Sequence, residues 1–450
     1  LRERGRMVPS SFPLDSPRSD DDSPRLAFIG EAPGRYEIGK QKVFIGASGQ
    51  LLNAVLDSYG VDRNYVFLGN ATLCHYPDSM KKLPDEAIEA CRPRLEEELR
   101  QAGVTTVVPM GNSAIKAVAP ELAKKSGITK LRVGRPKTLP PLPESTTSLL
   151  MVPTFHPAAC LRGQEKFPQM LTDIGKAVSS ANLPDLWYEP ETVIIDPHHE
   201  KYGKDWPSVI IRALTRNTLF FLDIETGREK DISYGNVHME KLLCVGIGEE
   251  GQDDVLVFTE ECFRDEEFRR RFKVFLETAK LGAQNGKFDL GALRAYLGYP
   301  DFESPQLSED TMLQSYALHE YAGVHGLEYM GMEILGTPDW KHDIAPYLKG
   351  PDGKQPTDYA NIPKDILYKY NAFDVHATRL LHAHFDAEIR RRGGGIADAY
   401  RFMLRVSNML TLVEPRGLGF DVAYSQEIAD QLQGEREDLE RYLPTVCDPE

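Results

Sequence analysis

The sequence predicts an α/β chain of two sheet-and-helix units in tandem, followed by a short helical tail, and three observations predict it. Short apolar runs alternate with amphipathic helical patterns through the first 180 residues, a second series of apolar runs starts near residue 219 after a polar connector, and 450 residues exceed what one core usually organises. A composition of 41% hydrophobic and 27% charged residues, with mean hydropathy −0.39, excludes a disordered or fibrous chain. No apolar run approaches about 18 residues, so no membrane span is expected. Leu1 to Arg6 carry charge without an apolar stretch, so no signal peptide is expected either, and the expected location is the cytoplasm.

In the first unit the expected strands are LAFIG (26–30), YVFLGN (65–70), TTVVPMGN (105–112) and LLMVPTFHP (149–157). Helical patterns separate the first three: LLNAVLDSYG from Leu51, and PDEAIEACRPRLEEELRQAG with Pro84 at its start, acids in its first turn and Gly103 past its end. Such alternation predicts a parallel sheet covered on both faces, with ligands at the carboxyl ends of its strands. Glu31, Asn70, Asn112 and His156 fall at those ends. PSSFPLDSPRSDDDSP (9–24) has no periodicity and is expected to be an exposed loop.

The expected domains are 1–181, a linker at 182–204, a second unit at 205–392 and a tail at 393–450. In the second unit LFFLDIET (219–226), LLCVGIG (242–248), DDVLVFT (253–259) and LGAQNGKFD (281–289) read as strands, the first three as an antiparallel meander. Helices are expected at 265–279, 310–320 and 363–385, and Gly393, Gly394 and Gly395 as a hinge before another helical stretch.

Net charge is −15, unevenly spread: residues 1–190 carry 24 basic against 22 acidic groups, and residues 191–450 carry 29 against 46. A basic groove or a cation held by carboxylates can override such an average, so charge leaves the partner open. Six cysteines make no disulfide framework.

Asp223 and Glu225 stand two apart on an apolar strand, so both project from one face and can share a metal. Asp289 closes QNGKFD. In PKDILYKYNAFDVHATRLL, Ile366, Leu367, Tyr370, Phe373, Asp374, Ala377 and Leu381 share one helical face, which puts Tyr370 one turn from Asp374. Taken singly, each acid reads better as a strand end, a helix cap or a surface residue. Together, DIET, QNGKFD and YNAFD resemble, in order, the three motifs of the DEDD-type 3′-5′ proofreading exonuclease domain of family-A DNA polymerases. SEDTMLQSYAL (308–318) and HGLEYMGMEILG (325–336) resemble segments between the last two motifs.

That resemblance implies an RNase H-like mixed sheet and two Mg²⁺ or Mn²⁺ ions held by hard oxygen ligands. Asp223 would bridge the ions, Glu225 and Asp374 would complete one site, and Asp289 would hold the other. Tyr370 would orient the attacking water, while Gln284 and Asn285 would touch a single-stranded DNA 3′ end. Leu222 and Phe288 are expected in the core.

In the first unit GEAPG, VFIGASGQLL (43–52), GNATLC (69–74), EACRPRL (89–95), PMGNSA (109–114) and TFHPAACLR (154–162) together resemble the uracil-DNA glycosylase superfamily, its family 4 most closely. The implied fold is a parallel-sheet α/β/α domain. The implied roles are Phe44 stacking on uracil, Asn70 reading its edge, His156 stabilising the departing base, Glu31 or Glu37 acting on water or the sugar, and Arg162 contacting phosphate. The chain departs from the family at Ile38 and Ala158.

The family also implies a [4Fe-4S] cluster, of whose ligands Cys74 and Cys91 match the last two. A Cys-x-x-Cys pair is expected upstream of Leu1 in a longer natural chain. Cys160, Cys244, Cys262 and Cys447 are expected to be structural.

Residues 406–432 resemble the opening of a polymerase thumb, which implies a C-terminal polymerase module as partner. This chain alone is expected not to extend a primer. An alternative reading makes the first unit a non-catalytic DNA-binding or docking module.

Overall fold

In the computed structural model the described residues are 7–14, 25–76, 83–146, 148–163, 166–179, 186–197, 218–228, 240–300, 303–320, 323–348, 358–414 and 421–442. Cys447, most of the 9–24 stretch and parts of the expected linker lie outside them. No described helix is long and apolar enough to cross a membrane.

The first sheet comprises β1 (Leu26–Gly30), β2 (Phe67–Asn70), β3 (Thr106–Pro109), β4 (Lys137–Leu139) and β5 (Leu149–Met151), in the order β2-β1-β3-β5-β4. The first four in that order are parallel, and β4 adds an antiparallel edge absent from the sequence expectation. Both faces are covered, which is why these strands are apolar throughout rather than alternating. Phe28, Leu68 and Val108 pack on one face with Leu52 and Leu56 of helix Ala47–Ser58 and Ile174 of helix Phe167–Val178. Ala27, Ile29, Phe67 and Val107 pack on the other with Ile88, Leu95 and Leu99 of helix Asp85–Gln101.

Two expectations are corrected here. Strand β5 stops at Met151, and His156 caps a separate helix, Pro157–Arg162. The start of the expected loop at 9–24 is paired rather than free: the Ser11 and Leu68 backbones exchange hydrogen bonds of 2.8 and 3.0 Å, and Phe12 meets Phe67 edge-on.

The second sheet comprises β6 (Glu191–Ile195), β7 (Leu219–Arg228), β8 (Glu240–Glu249), β9 (Asp254–Thr259), β10 (Lys280–Ala283) and β11 (Leu307–Asp310), ordered β11-β10-β7-β8-β9-β6. Strands β7, β8 and β9 form the expected antiparallel meander, while β10 and β11 run parallel beside β7. Strand β6 arises inside the expected linker and pairs parallel with β9, because ETVII offers a β-branched edge to an open strand. One face is filled by phenylalanines of helix Glu266–Thr278, the other by helix Lys364–Arg392.

The expected fourth strand is also shorter. The Asp310 carboxylate accepts the backbone N–H of Asn285 (3.2 Å) and Gly286 (3.0 Å), Asn285 adopts φ 54, and the chain turns into helix Lys287–Tyr296. Asp289 therefore sits in a first helical turn, not at a strand end. Helix Lys364–Arg392 runs beyond the expected Phe385 until Gly393, at φ 67, stops it; helix Gly394–Val413 follows at once. It is buried on more than the one expected face, since Tyr368, Asn371, His376 and Arg379 are also covered, whereas Ile366 is only partly so.

Candidate functional site

Period-two alternation on β7 puts Phe221, Asp223 and Glu225 on the face covered by helix Lys364–Arg392, and that helix brings Asp374 down onto them. Asp223, Glu225 and Asp374 each offer an oxygen within 4.8 Å of the others. Gly246 makes the close approach possible. It lies opposite Asp223 on β8, and a Cβ there would run into Asn371 Oδ1 and fall 2.8 Å from a Val375 methyl. Asn371 in turn donates to the Asp223 carboxylate at 2.7 Å. Trp340 Nε1 donates to Asp374 Oδ1 at 2.7 Å.

Burial raises the Asp223 and Glu225 carboxyls well above the ordinary range, and neighbouring acids, Asp374 first, raise them further. Asp374 itself is pushed up to about 7 by burial, with Trp340 and Tyr370 hydrogen bonds opposing. Three ionised acids held this close repel one another unless a cation compensates them, so this oxygen set fits Mg²⁺ or Mn²⁺.

Asp289 is buried next to these acids, and its carboxylate accepts the Ile224 N–H at 3.1 Å. It is not part of the three-acid group. Tyr370 is buried and its phenol is held far above the ordinary value, by burial first and then by Asp374 and Glu225. The Gln284 carboxamide is engaged at both ends, donating to the His325 carbonyl at 2.8 Å and accepting from Thr311, whereas Asn285 is exposed. Leu222 is in the core as expected, but Phe288 is 40% exposed, because Asp289 rather than Phe288 faces inward from that helical turn.

The second constellation lies at the carboxyl ends of β1, β2, β3 and β5. A Cβ on Gly30 would fall 2.5 Å from Asn70 Oδ1 and 2.7 Å from Phe44 Cζ, so the ring and the carboxamide converge over a glycine floor. Phe44 is itself held at φ 52. Glu31, next to that floor, is exposed and accepts from Ser113 at 2.9 Å. Glu37 accepts the N–H of Gly34 (2.8 Å) and Ile45 (3.3 Å), tying the GEAPG turn to the Phe44 loop.

His156 Nδ1 accepts the Ala158 N–H at 3.1 Å. A backbone N–H only donates, so the proton of the neutral ring is on Nε2. Burial, and then the charge of Arg162, push this imidazole down to about 4. Arg162 is exposed at the end of the same helix.

Sequence reasoning missed four supporting residues. Arg63 donates to the Phe44 and Val43 carbonyls at 2.6 Å each, and Arg94, inside EACRPRL, donates to the Asn70 carbonyl at 2.9 Å. Trp340 and Asn371 hold the acids. The one signal for Trp340 was a tryptophan amid polar residues, whose indole N–H needs a partner once buried.

Cys74 and Cys91 are half-buried free thiols near enough to Tyr76 to raise its phenol, after burial. Among the described residues the other cysteines, Cys160, Cys244 and Cys262, are buried elsewhere, so two thiols stand where a four-cysteine cluster needs four.

Residues 17–178 match the uracil DNA glycosylase superfamily. The type-4 uracil-DNA glycosylase of Thermotoga maritima is 31% identical over 157 residues, covering 34% of this chain and 77% of that protein. The chain belongs to the uracil-DNA glycosylase superfamily.

The first unit is also 31% identical over 138 residues to the type-4 uracil-DNA glycosylase of Sulfurisphaera tokodaii, of whose length the chain spans 60%. A DNA polymerase of Escherichia phage T5 is 30% identical over 155 residues, 33% of this chain and 18% of that protein. Among solved structures, Brucella melitensis NrnC is 17% identical with TM-score 0.34, over 52% of this chain and 98% of that one.

Proposed function

We propose that the second unit is a metal-dependent 3′-5′ exonuclease acting on single-stranded DNA ends, carried with a uracil-DNA glycosylase unit in the editing and repair part of a DNA polymerase. The observation that carries the exonuclease reading is the convergence of half-buried Asp223 with buried Glu225 and Asp374 in one site. Bound Mg²⁺ or Mn²⁺ would supply charge neutralisation and acidify water there, held by these three acids, with Asp289 beside them for a second ion. Tyr370 stays a neutral phenol at working pH and orients water by hydrogen bonding rather than by removing its proton. The likeness to a phage DNA polymerase supports the wider assignment.

A 3′-labelled single-stranded oligonucleotide in Mn²⁺ tests this reading. Asp223→Ala should lower cleavage by several orders of magnitude and EDTA should abolish it; undiminished cleavage in either case would overturn the assignment.

For the glycosylase unit, Phe44 would stack on a flipped uracil while Asn70 bonds its edge. The Nε2–H of neutral His156 would donate to the oxygen that gains charge as the base departs. Glu31 is better disposed than Glu37 to act on water, because two backbone N–H groups already engage Glu37. Free uracil released from a single-uracil oligonucleotide, and lost in Asn70→Ala, is the expected result. No release and no preference for uracil-containing DNA would favour a docking module instead.

A further inference from the structure

Trp187 lies outside both predicted sites, in the connector just before β6. Its ring stacks on Trp340 with centroids 5.9 Å apart and planes within 5°. It also meets Phe373 edge-on at 5.5 Å and the His376 ring at 5.2 Å. Phe373 immediately precedes Asp374, His376 follows it by two, and Trp340 donates to its carboxylate. One side chain arriving from the connector thus braces the indole that bonds the Asp374 carboxylate and two rings of the helix that carries Asp374.

The segment carrying Trp340 is fastened to the glycosylase unit as well. Glu333 accepts the Gly134 N–H at 3.2 Å and pairs with Lys176, and Lys130 pairs with Asp339 at 3.1 Å.

We infer that Trp187 is a positioning residue for the exonuclease: it fixes the Trp340 indole so that its N–H sets the plane of Asp374, and the metal affinity of the site therefore depends on the connector. The inference rests on the exonuclease reading. A ligand carboxylate needs an outer partner to hold its orientation, and loss of such a partner costs metal affinity. A flat indole free to swing would not hold that hydrogen bond, whereas one held in an offset parallel stack keeps its plane.

The test measures Mn²⁺ binding to the whole chain without DNA, from the spin-resonance signal of the free aquo ion, and then the Mn²⁺ dependence of cleavage. Trp340→Phe keeps an aromatic ring but removes the N–H, and should weaken Mn²⁺ binding by about 10- to 100-fold. Trp187→Ala should weaken it by about tenfold, with kcat recovering at saturating Mn²⁺, and Trp187→Phe should restore most of the affinity. A lower Tm in Trp187→Ala with wild-type Mn²⁺ affinity would reduce the residue to packing and overturn the inference. Wild-type affinity in Trp340→Phe would overturn it even if Trp187→Ala failed to fold. Wild-type protein binding no more Mn²⁺ than Asp223→Ala would instead overturn the exonuclease reading itself.

Discussion

The imidazole of His156 sits where its ring can neither take up a proton easily nor turn, since burial and Arg162 oppose the charge and the Ala158 N–H occupies Nδ1. In the unfolded chain a histidine protonates near 6.5, whereas here it does so only near about 4. Between those values the unfolded state binds a proton that the folded state refuses. The contribution of His156 to stability is therefore complete above about pH 6.5, falls as pH drops to about 4, and is level below. His156→Asn keeps an acceptor at the helix N-cap while removing the titration and the Nε2–H. Urea unfolding of the wild type should lose stability between about pH 6.5 and 4 more steeply than that of His156→Asn, and uracil release by the variant should fall about 10²- to 10³-fold. Equal slopes would mean that the folded imidazole titrates normally.

At the scale of elements, the three-acid site is a contact between a strand and a helix, and its closeness depends on Gly246. In Gly246→Val the new side chain would drive into Asn371 and Val375, lift helix Lys364–Arg392 and separate Asp374 from Asp223 and Glu225. Overpacking of this kind costs about 1–3 kcal/mol, so a lower Tm together with weaker Mn²⁺ binding is expected, read by thermal melts with and without the ion. Unchanged metal binding would show that the helix position does not set the acid geometry.

The same elements explain what the sequence made legible. Asp223 with Glu225, and Tyr370 with Asp374, were readable because strand and helix periods fix which side chains share a face. The sequence reads as strand through Asp289 because the break at Ala283 is made by the carboxylate of Asp310, distant in sequence. Trp340, Asn371, Arg63 and Arg94 act through partners brought near only by the fold, and β6 looked like linker because its pairing partner β9 lies beyond β7 and β8. The exposure of Phe288 is not legible in the sequence because a run of mixed residues in a first helical turn gives no period to judge by.

For the whole molecule, the question is whether two units in one chain behave as one. Their junction is ionic and buried: Arg132 bonds Asp173 through Nε at 2.8 Å, Lys176 lies 3.5 Å from Asp173, and Lys176 reaches across to Glu333, both of their side chains only 7% exposed. Breaking one partner of a buried ion pair costs about 3–5 kcal/mol, because the charge left behind has no solvent. Glu333 is therefore expected to tie the unfolding of the first unit to that of the second. A metal that binds only the folded second unit adds about 2.7 kcal/mol at a hundredfold excess over its Kd. If the junction holds, that gain should reach both units. Calorimetry of the wild type should show one transition that moves up with Mn²⁺, whereas Glu333→Gln should split it into two, of which only the transition of the second unit follows the ion. Two separate wild-type transitions with a single metal-sensitive one would mean that the buried pair joins the units without coupling their stability.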